Sequence, residues 1–577
     1  MKILFILLFS IEFLMLNSKI IQTKDLSTAL STASPGDIIE LQSGTYNSIP
    51  YRLKSGTKDK PITLKAAEGA NVVFTGTNSL CIFEFSGVSY ASIEGPFELK
   101  DTLCGVKAMD VTNVKISGLK IHNTQQHGIV ISGENNLVTN NEVYNCVLEN
   151  KIVGKTLDGG WSQCVSSWGK NYNSGFSQNI VFEKNYIHDS YGEGLDFLKC
   201  DNCSAIKNNI TNGFSMNIYL DASKNILIEG NILRVNSDAY DTKWGSACGV
   251  GMSSESGNEH NIENIIIQNN IMIGTRMGIY FFQIGEGSGY SNVKILFNTM
   301  WQVSVAPLWF REPKNSPTNC ELINNFMYVD WYQDIIPKEA WYISNNYYYN
   351  KLNVPSQYSD TNSNGGSRAA ETLDLSTVFN NKNGNCNYFD KNLDPECLRP
   401  SPNPNDWLKL YHSGTTKSTT VKINKDFSGC PRSETTPSIG AYEYPSGCNE
   451  SKDEGDKTCD GEQTGEVKVK FKINYCTSGN EVVKMAGEFC SWDVSKAYTF
   501  MNEGNCDWSY TFDKQISSFE YKFIISNGNS AKWESGSNRI FNLSSLINTA
   551  NSNPNGNYQN CSYNKSGNTI TLTCSWK

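Results

Sequence analysis

Between roughly residues 36 and 350, short apolar runs alternate with corners built from Asn and Gly. Examples are NIVFEKNYIHDSYGEGLDFL, SAIKNNITNGFSMNIYLD, NILIEGNILRVNS, NIIIQNNIMIGTRMGIYFF and NVKILFNTMWQVSVAPLWFR. Each run has about four residues, which is strand length, and helical spacing is missing. A period of about 23 to 32 residues predicts a solenoid of stacked strands. Asn suits its corners because it tolerates left-handed backbone angles and bonds to its own backbone. Stacked in register, it also builds amide ladders. In the opening DLSTALSTASPGDIIELQSGTY, Asp25 is placed to cap a short amphipathic helix through Leu26, Ala29 and Leu30. Pro35-Gly36 stops that helix, which would cover the open end of the first coil.

In-register stacking sets alternate side chains in columns. Aligning GLDFL, NIYLD, VGMSS, GIYFF and PLWFR puts Leu195, Ile218, Val250, Ile279 and Leu308 inside. One outward column then reads Asp196, Tyr219, Gly251, Tyr280, Trp309, and the next Leu198, Asp221, Ser253, Phe282, Arg311. Flat aromatic faces stack on sugar rings, and carboxylates or Arg bind hydroxyls, so Tyr219, Tyr280 and Trp309 are candidate sugar contacts. Trp161, Trp168 and Trp244 are candidate groove walls. Asp196, Lys199 and Asp221 are the candidate catalytic residues. A hydrolase needs two carboxyl groups, one of them protonated. A lyase instead needs a base such as Lys199 or Arg311 beside a uronate, with calcium held by carboxylates such as Glu193, Asp196 and Asp221. Outside that lyase reading no metal or cofactor is expected.

The repeat, with PGDIIELQSGTY and PSIGAYEY at its two ends, resembles right-handed parallel β-helix proteins of the pectate-lyase-like superfamily. GEGLDFLKCD resembles the acidic-then-Lys segment of alginate-lyase-like members, but the next coil reads NIYLD where those have an Arg. The fold expected for residues 19–445 is therefore a right-handed parallel β-helix.

After residue 445 the pattern changes. Residues 446–465 are charged and Gly-containing with no apolar period, which reads as a linker. From 466 to 577, VKVKFKINY, EVVKMAGEF, DWSYTFD, FEYKFIIS, NRIFNL and TITLTCSW alternate as strands of a small antiparallel β-sandwich. In order, VKVKFKI, GEFCSWDVSKAYTF, DWSYTF, FEYKFI, WESGSNR and TLTCSW resemble the starch-binding domain, carbohydrate-binding module family 20. The resemblance implies a platform of Trp492 and Trp533 for an α-glucan, with Lys522, Glu534 and Asn538 holding hydroxyls and Trp508 in the core. GEFCSWD is shorter than the usual loop, and Ser478 stands where a second site has Tyr, leaving Tyr475 as its substitute.

Composition narrows the setting. The 577 residues are too many for one ordinary compact domain, which agrees with a repeat. A net charge of -9 carries no basic footprint for nucleic acid. MKILFILLFSIEFLMLNS reads as a signal peptide over residues 1–18, and no later stretch has the ~20 apolar residues of a membrane span. Eighteen cysteines fit a secreted, extracellular protein, with Cys386/Cys397, Cys430/Cys448 and Cys561/Cys574 as plausible bridges. Cys200-Asp201-Asn202-Cys203 has no second pair and the chain only five His, which disfavours zinc. Asn202, Asn209, Asn449, Asn542, Asn560 and Asn564 are glycosylation acceptors by motif. The expected partners are starch or another α-glucan and a second polysaccharide, with no nucleic acid and no membrane. The alternatives are a non-catalytic secreted binding or surface protein and a uronate lyase.

Overall fold

The computed structural model describes residues 20–23, 25–47, 50–153, 162–236, 248–255, 261–282, 289–310, 317–329, 341–350, 386, 390–398, 421, 423–434 and 437–443 of the long repeat region, and 468–477, 481–487, 494, 498–504, 506–512, 518–527, 531–535, 539–542, 555–558, 561–566 and 569–575 beyond it. The signal peptide, the linker, Trp161, Trp244, Arg311, Cys448, Asn449, Ser478, Trp492, Asn538 and Asn560 lie outside the described residues. The chain divides into two compact units, residues 1–449 and 450–577.

The first unit is a parallel solenoid. Its strands stack into three faces, the apolar runs being separated by left-handed corner residues that are most often Asn. Face I holds Ile129–Glu134, Gln163–Ser167, Glu193–Leu198, Met216–Asp221, Cys248–Ser253, Met277–Phe281 and Ala306–Phe310. Face II includes Val181–Glu183, Ser204–Ile206, Lys224–Glu229 and Ile262–Gln268. Face III includes Tyr186–Ser190, Asn209–Gly213, Ile232–Arg234 and Ile271–Ile273. The register on face I runs Leu195↔Ile218, Ile218↔Val250, Val250↔Ile279 and Ile279↔Leu308. All five are fully buried.

Two backbone devices hold the corners. Asn141, Asn185, Asn208, Asn231, Asn270, Asn298, Asn325 and Asn346 form a buried ladder between faces II and III. Each Nδ2 donates to the next Oδ1 at 2.9–3.0 Å. The same oxygens accept the backbone N–H of the coil below, as Asn208 does from Asn185 at 3.0 Å. A buried amide that satisfies both its own donors and a neighbour's backbone stabilises where an unpaired one would destabilise. Where face III meets face I, Gly194, Gly249 and Gly278 pass so close to Ile210, Met272 and Met300 that a Cβ would sit 2.7–2.8 Å from those side chains. The N-terminal helix Leu26–Thr32 caps the stack, with Asp25 accepting from Thr28 N and Leu26, Ala29 and Leu30 turned inward.

The second unit has a six-stranded and a five-stranded sheet around one core of Phe471, Met485, Trp508, Tyr521, Phe523 and Leu572. Most pairs are antiparallel, but Lys468–Asn474 pairs in parallel with Thr569–Ser575. These two strands lie at opposite ends of the module, so no hairpin dictates their direction. Disulfides join Cys81–Cys104, Cys146–Cys164, Cys386–Cys397, Cys476–Cys506 and Cys561–Cys574. Among the described residues no helix is long and apolar enough to cross a membrane.

Candidate functional site

Face I carries an acidic cluster on its outer side. Asp196 stands between Ser166 on the coil below and Tyr219 on the coil above. Asp221, two residues along from Tyr219, pairs with Leu198 below and Ser253 above. Glu193 opens the strand that ends past Asp196. Glu255 follows the next coil; its backbone N–H donates to Asp221 Oδ1 at 3.1 Å and its Oε1 accepts the Tyr219 hydroxyl at 3.0 Å. Glu193, Asp196 and Asp221 are 6%, 2% and 6% exposed, whereas Glu255 is exposed. Three carboxyl groups are thus sunk in the face beneath a fourth at its surface.

Burial dominates their chemistry. It pushes the Glu193 carboxyl up to about 8, with Glu255 and Asp221 adding to the effect. Asp196 is raised well above the carboxylate range by burial, then by Glu193, Asp221 and Glu255. Like charges held out of water cannot all ionise, so the cluster keeps protons at neutral pH. The same two causes raise the Tyr219 hydroxyl. His127, two coils below Glu193, is buried, its Nδ1–H donates to the Gln163 carbonyl at 2.9 Å, and burial lowers it to about 4, so it is neutral.

Aromatic rings flank the cluster. Tyr219, Phe282 and Tyr280 form a stacked row with centroids 5.9 and 5.2 Å apart, and Trp309 meets Tyr280 edge-on at 6.4 Å. Tyr219 and Tyr280 are buried in this row and Trp309 is half-buried, so the column is a packed wall more than a set of free platforms. Gly251 makes room within it: a Cβ there would meet Met216 Sδ at 1.6 Å. On the lower side Trp168 packs edge-on against His127 at 5.2 Å. Ser166 Oγ, Trp168 Nε1, Glu193 Oε2, Asp196 Oδ1, Ser253 Oγ and Trp309 Nε1 are buried without a hydrogen-bond partner. Native interiors rarely leave such atoms unpaired.

Lys199 meets the cluster through its backbone, its N–H donating to the Asp221 carbonyl at 2.9 Å, while its side chain is engaged elsewhere. It occupies the left-handed turn after the strand (φ 49°), and its Nζ donates to the Asn173 carbonyl at 2.7 Å. Among the described residues no group of three or more His, Cys, Asp or Glu side chains is arranged to hold a metal ion. Glu193, Asp196 and Asp221 therefore do not fit the calcium set expected on the lyase reading. Glu255 and Ser166 escaped the sequence reading; Glu255 follows its strand with no repeat position to mark it.

In the second unit, Trp533 sits opposite Ile524, and Lys522 opposite Ala486. Tyr521, Phe523 and Ile525 fill the core, so Lys522 and Trp533 share the outer face of the sheet. Trp533 is 37% exposed and Lys522 half-buried. Glu534 departs from its expected place among sugar contacts. It is buried and bonded to Arg539 Nε at 2.8 Å and Nη2 at 3.0 Å, because the alternation that turns Trp533 outward turns Glu534 in. Trp508 is core, with its Nε1 donating to the Tyr475 carbonyl at 3.0 Å, and Tyr475 packs half-buried against that core.

Three family descriptions match: "Right handed beta helix region" over residues 104–300, "Starch binding domain" over 466–553 and "Chondroitinase B" over 20–109. No curated protein matches the chain. Similar solved structures include an alginate lyase from Paenibacillus sp. str. FPU-7, 15% identical over 56% of this chain and 97% of its own, TM-score 0.38. PfbA, a surface adhesin of Streptococcus pneumoniae, is 15% identical over 56% of this chain and 85% of its own, TM-score 0.41. XylC with xylose is 10% identical over 73% of this chain and 95% of its own, TM-score 0.45.

Proposed function

We propose that this chain, a right-handed parallel β-helix joined to a starch-binding domain, is a secreted carbohydrate-active protein. It anchors to starch or a related α-glucan through Trp533 and Lys522, with Trp492 and Asn538 of the family pattern, and hydrolyses a polysaccharide on face I. The observation that carries the hydrolytic reading is the sunken cluster of Glu193, Asp196 and Asp221, with unpartnered Glu193 and Asp196 oxygens. In this reading a buried carboxylic acid, Asp196 or Glu193, protonates the glycosidic oxygen. Asp221, nearer the exposed Glu255, works as the carboxylate that activates water or attacks the sugar. Asp196 and Asp221 lie on adjacent coils, offset by two residues along the strand, so their carboxyl groups share one face as a paired acid and carboxylate require.

The groups that shift Glu193 and Asp196 by charge are all acidic. Elimination from a uronate needs a cation against the sugar carboxylate, so these surroundings favour a neutral glycan. Starch has no uronate, and a lyase would need a mixed substrate with the module serving only as anchor. The burial of Tyr219 and Tyr280 favours a second reading, a non-catalytic solenoid that holds or spaces carbohydrate. Sugar release by the purified chain, compared with Asp196→Asn, tells the two apart.

A further inference from the structure

Cys200 and Cys203 flank the turn that carries the chain from face I to face II, just beyond Asp196. Both are buried, and their sulfurs lie 2.8 Å apart. A disulfide of about 2.05 Å is reached by a movement of less than about 1 Å. Asn202, left-handed at φ 58°, folds the two residues between them into a tight corner. The neighbouring coils show what this corner otherwise holds. Ser177 lies below Cys200, and Ser223 Oγ accepts the Cys200 N–H from above at 2.9 Å. The registers Val181↔Ser204 and Ser204↔Leu227 set Ile180 below Cys203 and Ile226 above it. A Ser and an Ile in the coils on either side thus become two sulfurs in this coil alone of the three.

We propose that Cys200 and Cys203 are joined by a disulfide in the mature protein, a corner cross-link alongside the five bonded pairs of the described residues. The oxidant is the disulfide of a thiol–disulfide oxidoreductase acting during export. One cysteine thiolate attacks that disulfide and releases one of its sulfurs as a thiolate. The second cysteine thiolate then attacks the mixed disulfide, forming Cys200–Cys203 and leaving the oxidoreductase as a dithiol; two electrons pass to it with two protons. Burial pushes the Cys200 thiol far up, so the folded corner is unreactive and the bond forms while the coil is still open. With two residues in its loop, the bond constrains the unfolded chain little. Its effect is local: it ties the end of the strand bearing Asp196 to face II.

The test uses full-length protein secreted from an oxidising host, unfolded with alkylating reagent and no reductant, then digested for mass spectrometry. The expected peptide carries Cys200 and Cys203 unalkylated and two hydrogen masses lighter than the dithiol. Alkylation of both thiols overturns the proposal, as does a link from either to any other cysteine, or a metal ion retained by the thiols. Cys200→Ser should leave Cys203 fully alkylated, which establishes that the reagent reaches this position. Cys200→Ser with Cys203→Ile copies the neighbouring coils and should fold without the cross-link.

Discussion

Arg539 grips Glu534 through a paired contact, Nε to Oε1 at 2.8 Å and Nη2 to Oε2 at 3.0 Å, with both side chains closed to solvent. Glu534 Oε1 also accepts the Phe523 N–H at 3.4 Å, and the guanidinium lies 5.3 Å over the Phe523 ring. The pair therefore braces the strand end that turns Trp533 outward. Removing one partner leaves the other charge buried alone, so Glu534→Ala should destabilise the module by about 3–5 kcal/mol. Calorimetric unfolding of the full chain measures this. Replacing both residues by Leu and Met should restore most of the loss, and failure to do so would remove the ion pair as its cause.

Trp533→Ala should behave in the opposite way. Its ring is exposed beside Lys522, so the unfolding temperature should hold while cyclodextrin affinity falls. Loss of one stacking contact is worth about 1 kcal/mol, roughly fivefold in affinity. Titration calorimetry reads it, and unchanged affinity refutes the site.

The pH dependence of stability has a defined sign. Glu193 titrates near 4.5 when unfolded and about 8 when folded, so between these values the folded state holds more protons. Stability then falls as pH rises through that window, by up to about 1.4 kcal/mol per unit for one proton. Glu193→Gln should flatten this slope and leave the variant more stable than the parent at pH 8. A slope identical in both proteins would contradict the buried-acid assignment.

The Asn ladder predicts a large effect from a small change. Asn208→Ala removes the acceptor for Asn185 N and Nδ2, both at 3.0 Å, and the donor to Asn231 Oδ1 at 3.0 Å. Stranding buried amides costs about 1–3 kcal/mol each, so a loss of about 3 kcal/mol or more is expected by denaturant unfolding. A change below 1 kcal/mol would show that the corner relaxes to bind water instead.

The solenoid was legible because its signal is repeated. Period-two apolar runs placed Leu195, Ile218, Val250, Ile279 and Leu308 in one inner column, as found. The Asn corners read correctly for the same reason: Asn179, Asn202, Asn225 and Asn264 all adopt left-handed angles. Depth was not legible. An outward parity marks Tyr219 and Tyr280 for solvent, yet neighbouring rings and Met216 bury them. Glu534 matches the family pattern by position, and a positional match does not reveal that Arg539 pairs with it on the inner side. Among the described residues the bonded pairs include Cys81–Cys104, which the register of two stacked strands brings together.

The most direct test of the central claim is product analysis with the purified full-length chain on starch, mixed-linkage glucan, alginate and pectin. New reducing ends should appear from a neutral glucan, without the ultraviolet absorbance of an unsaturated uronate. Asp196→Asn should lower the rate at least ~10²-fold while granule binding persists. Equal rates in parent and variant, unsaturated products, or no release from any of the four would contradict the claim.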